Sequence, residues 1–382
     1  MNNKIGLLFV FSFVIGAVAC SPGSGYRING VINGSNGFPV DQATIFGCKT
    51  TVAMPPDNTF SMGCNAGDKP QVIMVKAPGY APSINVIQPI AGLDYSLFVT
   101  TGMKLDVTDV DVKADSSMVS ASTKGFSMDG QASAFQTISG GDVRGNLSIS
   151  MAYWDCVLSD KMIKPFFGGM LDENYQPLKV WPIAIGYVDV TGDGKEVKVR
   201  DNEKFSANLT AGDLGTTNIN SWSTENKLYY FDQAGGVFVE KPFQPVNHAD
   251  SVMRFSPDAT GFWIWAKPMV KPTCMQVKVN FPNGKGAAGA QVDMEGERFT
   301  RQGFTSDDGS VCIESEKGYV VNFMVRTQNQ HTLTAKKENI SFTMKDGSCE
   351  TACQGKLEIS LKCLDDTDCE HSYTCKDGTC TK

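Results

Sequence analysis

Acid–base, nucleophilic or metal chemistry would have to be built here from few parts. The chain holds three histidines, His248, His331 and His371, and none has a glutamate three residues further on. The zinc signatures His-x2-Glu and His-Glu-x-x-His are therefore absent, as are the Gly-x-Ser-x-Gly nucleophile turn and the glycine-rich phosphate loop. Twelve cysteines are the more plentiful resource. The last four, Cys363-x5-Cys369-x5-Cys375-x4-Cys380, are spaced too widely for a structural zinc site, which favours cysteine pairs about two to four residues apart, and Cys349-x3-Cys353 is a single pair. Carboxylates cluster at Asp189-x3-Asp193-Gly194 and at Asp365-Asp366-x-Asp368. Neither has the spacing of a calcium-binding loop, so each reads either as a weak extracellular calcium ligand set or as a polar turn. Trp263 and Trp265 alternate with Phe262 and Ile264. On a strand the two tryptophans share one face. They form a stacking platform for a glycan or protein partner if that face is open, and core if both faces are covered. No residue is assigned a catalytic role, a metal or a cofactor.

The N-terminal residues say where these groups are placed. Lys4 is followed by an uncharged apolar run from Ile5 to Val18. Its fourteen residues fall short of the about 20 that cross a bilayer as a helix. The run fits the apolar region of an export signal, which ends in small residues at a cleavage site. Ala17-Val18-Ala19 suits an ordinary signal peptidase, which would release a soluble protein. With Cys20 next and Ser21-Pro22-Gly23-Ser24-Gly25 after it, the segment also resembles a bacterial lipobox, with Ala17 where that family usually has Leu. The resemblance implies a signal peptide over residues 1–19, acylation of Cys20 on its thiol and amine, and a flexible tether over 20–25. Multiple acyl chains give stable anchoring, and Ser21 in place of Asp is similar to the outer-membrane sorting pattern. The expected partner on that side is the membrane itself, through the lipid anchor.

About 360 residues remain after this leader, enough for two or three domains. A net charge of −7 without clustered Lys or Arg argues against a nucleic-acid partner. In an exported chain the cysteines read as disulfides. If Cys20 is acylated eleven remain, so at least one is unpaired. Cys156, alone in its region, is expected to be the free thiol. Cys48 and Cys64, flanking a turn at Pro55 to Asn58, are expected to pair, as are Cys274 and Cys312. In the tail, Cys363 with Cys375 and Cys369 with Cys380 is one of three ways to join four cysteines.

The elements that must position these groups are strands. Short runs such as Val72 to Val75, Tyr95 to Val99, Leu147 to Met151 and Met275 to Phe281 are apolar or alternate with period two, and Gly, Pro, Asn and Asp cut them apart. The fold class expected is all-β: several β-sandwich modules (immunoglobulin-like or transthyretin-like) in series, with a small disulfide-rich tail. A weak repeat supports this. Asn36-Gly37 precedes Ala43-Thr44-Ile45 by seven residues, and Asn283-Gly284 precedes Ala290-Gln291-Val292 by seven. The expected domains are sandwiches over 26–101 and 273–361, a β-rich middle region over 104–271, and a Cys-rich knot over 362–382.

Gly30-Val31-Ile32-Asn33, Pro39-x3-Ala43, Asp57-x2-Phe60 and Lys76-Ala77-Pro78-Gly79-Tyr80 follow in the order of the carboxypeptidase regulatory-like module, which the first sandwich resembles. Thr305-x-Asp307-Asp308-Gly309 is similar in the second copy. The resemblance implies a transthyretin-like accessory fold, and the zinc ligands of the catalytic partner domain are missing. Tyr229-Tyr230-Phe231-Asp232 with Gly235-Gly236, then Arg254-Phe255-Ser256 and Phe262-Trp263-Ile264-Trp265, resembles a segment of cartilage intermediate layer protein and its bacterial relatives. The tail resembles the acidic Cys-rich knots of surface lipoproteins. Together these imply a non-enzymatic envelope lipoprotein, an arm of sandwiches that binds a protein or glycan. The alternatives are a hydrolase with an unfamiliar site or a purely structural spacer.

Overall fold

In the computed structural model, residues 25–382 are described except for 34–38, 54–57, 66–68, 88–89, 91, 101, 115–116, 157–166, 169, 212–224, 245–250, 297–299, 329–331, 343–352, 354 and 370–372. Cys20, Cys349, the Asn36-Gly37 pair and all three histidines lie outside the described residues. The rest is β-structure joined by turns, with a few short 3₁₀ segments.

The first strands are β1 (Gly25–Asn33), β2 (Thr44–Gly47), β3 (Thr50–Ala53), β4 (Thr59–Asn65), β5 (Gln71–Lys76), β6 (Ser83–Ile87) and β7 (Tyr95–Thr100). They form two facing sheets, β4-β1-β7 and β6-β5-β2-β3. In β4 the alternating Phe60, Met62 and Cys64 turn inward, where they meet Ile28, Ile45, Ile73 and Leu97. Cys48 and Lys49, both at positive φ, make the two-residue turn between β2 and β3. Cys48 is bonded to Cys64, which ties one sheet to the other.

The middle of the chain supplies β8 (Asp106–Val112), β9 (Met118–Ser122), β10 (Phe126–Gln131), β11 (Phe135–Thr137), β12 (Gly145–Asp155), β13 (Phe167–Gly168), β14 (Val180–Gly192), β15 (Lys195–Val199), β16 (Ser206–Thr210), β17 (Lys227–Asp232), β18 (Val237–Lys241), β19 (Val252–Phe255) and β20 (Gly261–Pro268). A four-stranded sheet, β19-β16-β10-β9, packs on one face of a larger sheet centred on the long β14. β14 pairs with β12 on one side and with β20 and β15 on the other. The second face of the large sheet is covered as well: Phe262, Ile264, Phe231 and Tyr187 pack with Ala81, Ile84 and Val86 of the first sandwich. Strand β13 extends that sandwich by pairing parallel to β6.

The last sandwich comprises β21 (Pro272–Asn280), β22 (Gln291–Glu295), β23 (Thr300–Phe304), β24 (Ser310–Glu316), β25 (Val320–Gln328), β26 (Thr332–Ser341) and β27 (Gly355–Ser360). Its sheets run β24-β21-β27 and β26-β25-β22-β23. Strand for strand this is the order of β1 to β7, including the parallel pair β1/β7, matched by β21/β27. The two ends of the chain thus carry the same topology, and Ala43-Thr44-Ile45 and Ala290-Gln291-Val292 lead into the equivalent β2 and β22. The tail closes as a hairpin of β28 (Thr374–Lys376) and β29 (Thr379–Thr381), held by Cys363–Cys375 and Cys369–Cys380.

The sandwiches follow one another in sequence but do not form an open arm. β7 lies against β22 and β25, so the first and last sandwiches are in direct contact while both also touch the middle region.

Candidate functional site

The structure corrects the reading of Trp263 and Trp265 as an exposed binding platform. Their side chains are 1% and 0% exposed. Both belong to the core between the four-stranded sheet and the large sheet, with Phe126, Met128, Leu209 and Phe255. The indole N–H of Trp265 donates to Asn226 Oδ1 at 3.1 Å, and that of Trp263 donates to the Ala259 carbonyl at 3.3 Å. β20 is covered on both faces, so neither ring is available to a partner.

The aspartate clusters resolve as turns. Asp193 and Gly194, at φ 48° and 72°, form the hairpin turn from β14 to β15, and the Asp193 carboxylate accepts the Asn146 N–H at 3.1 Å. Asp189 is partly buried against β12. Burial pushes its carboxyl above the usual range, and Lys76 draws it back. In the tail, Asp365 accepts the Thr367 N–H at 2.8 Å, Asp366 the Cys375 N–H at 2.7 Å, and Asp368 the Leu364 N–H at 2.8 Å. Among the described residues, the metal-ligating side chains that converge are two sets of disulfide-forming cysteines, not these carboxylates.

The cysteines depart from expectation at one point. Cys312 is bonded to Cys353, not to Cys274. The register of β21 against β24 sets Glu314 opposite Cys274 and Gln276 opposite Cys312, so the two cysteines are not cross-strand partners. Cys274 is itself in a disulfide. Cys156 is a free thiol at the end of β12, packed beside the second face of the large sheet. Burial pushes its pKa up to about 12, which keeps it protonated and a poor nucleophile at neutral pH.

Charged groups whose chemistry burial alters lie in the seams between sandwiches. Where β7 meets the last sandwich, Gln291 Oε1 accepts the Phe98 N–H at 2.7 Å, and its amide donates to the Phe98 carbonyl at 3.3 Å. The same amide donates to both oxygens of Asp293 at 2.9 Å, and Gln302 donates to Asp293 at 3.2 Å. Arg326 closes the cluster, 3.0 Å from Asp293 and over the Phe98 ring at 5.9 Å. Burial raises the Asp293 carboxyl above its ordinary range; Arg326 and the two glutamines pull it part-way back. Ser96 extends the seam: its N–H donates to the Gly289 carbonyl at 2.9 Å, and its hydroxyl accepts the Gln328 N–H at 2.8 Å. Gly289, at φ 67°, approaches so closely that a Cβ there would stand 1.8 Å from the Asp94 carbonyl oxygen.

A second seam joins the middle region to the last sandwich. Arg301 donates to the carbonyls of Leu178 and Val180 at 3.1 and 2.7 Å and lies over Trp181 at 5.7 Å. Trp181 in turn donates to Glu316 and packs against Tyr319. Burial brings the Arg301 pKa down to about 10, so it stays protonated at neutral pH. None of Gln291, Asp293, Arg301 and Arg326 stands out in the sequence. On β22 the alternation of Gln291 and Asp293 with Val292 and Met294 is the pattern of an ordinary solvated strand face.

No protein-family model and no curated protein matches the chain. Among solved structures, it is similar to the TIE protein of Bacillus anthracis (10% identity, TM-score 0.17, covering 89% of this chain and 51% of that one). A putative membrane-associated protein of unknown function from Bacteroides fragilis is similar at 8% identity and TM-score 0.18, over 65% of this chain and 99% of that one. BcpA, the major pilin subunit of Bacillus cereus, is similar at 9% identity and TM-score 0.16, over 89% and 99%. The chain spans about half the length of the TIE protein. Likeness at these TM-scores carries no argument about what this chain does. No helix among the described residues is long and apolar enough to cross a membrane.

Proposed function

We propose that this chain is a non-enzymatic cell-envelope lipoprotein, anchored through Cys20, whose mutually locked sandwiches present a rigid surface to a protein or glycan partner. The observation that carries the reading is the use made of the buried charged groups. Catalysis needs an acid, a base and a nucleophile or metal brought together in a cleft open to substrate. Here Asp293, Arg326 and Arg301 are instead paired with backbone and amide groups inside the seams, where they hold one sandwich against the next. Disulfides within the first sandwich, the last sandwich and the tail fit an oxidising compartment. The leader and the Cys20 tether fit attachment to a membrane on the far side of the export machinery.

The reading is tested in the producing cell by labelling with palmitate and fractionating the membranes. Wild type should incorporate label and sediment with the outer membrane, and Cys20→Ala should do neither. An unlabelled wild-type protein in the soluble fraction overturns the anchor. Turnover of any peptide, ester or glycoside by the purified oxidised protein overturns the non-enzymatic reading.

A further inference from the structure

The two end sandwiches have equivalent outer strands, β4 in the first and β24 in the last, and the two edges differ. β24 carries Glu314 and Glu316 and is engaged, since Trp181 of the middle region donates to Glu316. β4, Thr59-Phe60-Ser61-Met62-Gly63-Cys64-Asn65, holds no charged residue and no proline, and its register with β1 runs without a bulge. Among the described residues it pairs with β1 alone. Ser61 and Gly63 are exposed, while Phe60, Met62 and Cys64 face the core. The Cys48–Cys64 bridge fixes the strand to the facing sheet. Just ahead of β4, the Ile32 N–H donates to the Asn58 carbonyl at 2.9 Å. Bonded and non-bonded pairs alternate along an antiparallel ladder. Counted from Ile32 and Asn58, the bonded pairs are Gly30 with Phe60, Ile28 with Met62 and Tyr26 with Cys64. The N–H and C=O groups of Ser61 and Gly63 therefore point away from β1, at the open edge.

An unpaired strand edge is a template for another strand, and proteins blunt such edges with charges, proline, bulges or short length. Several other outer strands are blunted in these ways. β8 carries Asp106, Asp109 and Asp111, β26 carries Lys336 and Lys337 with a register shift against β25, and β18 ends in Glu240 and Lys241. β9 and β3 are uncharged but span only five and four residues. β4 has seven residues and none of these devices. Its pattern is also complementary to itself. Laid antiparallel on a second β4 with Met62 at the centre, it sets Ser61 opposite Gly63 and Phe60 opposite Cys64. The outward backbone groups of Ser61 and Gly63 then meet as bonded pairs. Polar residues oppose polar ones on one face, and apolar residues oppose apolar ones on the other. No like charges come into opposition, as aspartates would if β8 paired with itself. We propose that β4 is the dimerisation edge of this protein, joining two copies in one sheet of order β7-β1-β4-β4-β1-β7. A two-fold contact of this kind is closed, so assembly through it ends at two copies. The proposal rests on neither the anchor nor a foreign partner.

The test uses the full oxidised chain in a non-ionic detergent with its free thiols alkylated, so that neither the apolar leader nor a thiol drives association. Sedimentation velocity over a concentration series should show a monomer–dimer equilibrium and nothing larger. Two double variants probe the register. Ser61→Lys with Gly63→Lys, and Ser61→Glu with Gly63→Glu, place like charges opposite one another whenever a variant pairs with itself. A Cβ at Gly63 meets nothing within 4 Å, so the monomer has room for the new side chain there. Each variant alone should sediment as a monomer with the circular dichroism of the wild type, and an equimolar mixture should restore the dimer as a one-to-one complex. A wild type that is monomeric at every concentration overturns the proposal and leaves the edge to a foreign strand. Assembly beyond two copies, a dimer that persists in the lysine variant, or a mixture that stays monomeric overturns it as well. Where a double variant loses the wild-type circular dichroism, Ser61→Pro takes its place. It removes an N–H that faces away from β1, so β4 keeps its own ladder while the dimer should be lost; a dimer retained in Ser61→Pro refutes the pairing.

Discussion

Replacing Asp293 by Ala is the sharpest probe of the seam between the first and last sandwiches. The carboxylate is 7% exposed and its partner Arg326 14% exposed, so bulk water screens neither. The substitution leaves three donors without their acceptor: the guanidinium at 3.0 Å, the Gln291 amide at 2.9 Å and the Gln302 amide at 3.2 Å. Removing one partner of a buried ion pair typically costs about 3–5 kcal/mol, because the other charge stays buried and uncompensated. The effect should spread to β7, since the Gln291 side chain that Asp293 holds is the one that clamps Phe98. Asp293→Asn keeps one acceptor oxygen and should cost less, about 1–3 kcal/mol for the donor left unpaired. A double replacement with apolar residues of similar volume, Asp293→Leu with Arg326→Met, should recover most of the loss, since buried pairs are often replaced at little or no cost. Guanidinium denaturation of the oxidised chain followed by intrinsic fluorescence measures all three. If Asp293→Ala costs less than about 1 kcal/mol, the pair behaves like an exposed surface bridge, and the seam is held by something else.

Four further outcomes follow from the geometry. Gly289→Ala drives a methyl into the Asp94 carbonyl and adds strain at positive φ, so it should part the first and last sandwiches and expose the segment around residue 102 to limited proteolysis while each sandwich keeps its strands. Trp265→Ala should destabilise the middle region by about 3–5 kcal/mol, the range for emptying a large aromatic site, and shift the thermal midpoint of that region; an unchanged midpoint would return the ring to the surface. Cys48→Ala with Cys64→Ala should cost about 3 kcal/mol by the loop-entropy relation for a separation of 16 residues, read from the shift in denaturation midpoint. Asp308 accepts hydrogen bonds from the Ser306 hydroxyl and from the backbone and hydroxyl of Ser310, which hold its carboxyl below its ordinary value of 3.8. Its contribution to stability is therefore present above that value and lost as the pH falls through the lowered one. The thermal midpoint of Asp308→Ala should lie below wild type at neutral pH and converge with it as the pH falls below the ordinary carboxylate range, and a constant gap across that range would exclude the ionised carboxylate as the cause.

The β-architecture was legible because its signals are local. Met275 to Asn280 alternates in sequence and in burial alike, and Asp193-Gly194 and Asp377-Gly378 stand at the turns that need positive φ. The faint spacing of Ala43-Thr44-Ile45 and Ala290-Gln291-Val292 marks strands that occupy equivalent places in two sandwiches of one topology. The burial of Trp263 and Trp265 had a signal too. Phe262 to Ala266 is apolar without interruption, and a strand with no polar face is one covered on both sides. The seam was hidden for the opposite reason. Gln291 and Asp293 present the same alternation whether their face meets water or another sandwich, and only the return of β7 from nearly two hundred residues away decides which. The Cys312 pairing was hidden likewise, since a strand register that places Gln276 opposite Cys312 is not written in the spacing of cysteines.

The contact between the first and last sandwiches also sets how the molecule carries load. Tension applied between residue 25, beside the tether, and residue 361, where the last sandwich gives way to the tail, does not have to run through the middle region. It passes from β1 to its neighbour β7, across the Phe98–Gln291 clamp, and out through the last sandwich. The middle region hangs on this route as a bypassed loop of more than 160 residues, from 104 to 271. While the clamp holds, it gives the load a path that bypasses the middle region; when it parts, the middle region enters the line of force with its own folded sheets and its contacts to both sandwiches in series. The seam is in this sense a mechanical fuse, and the length it guards is that of the largest sheet among the described residues.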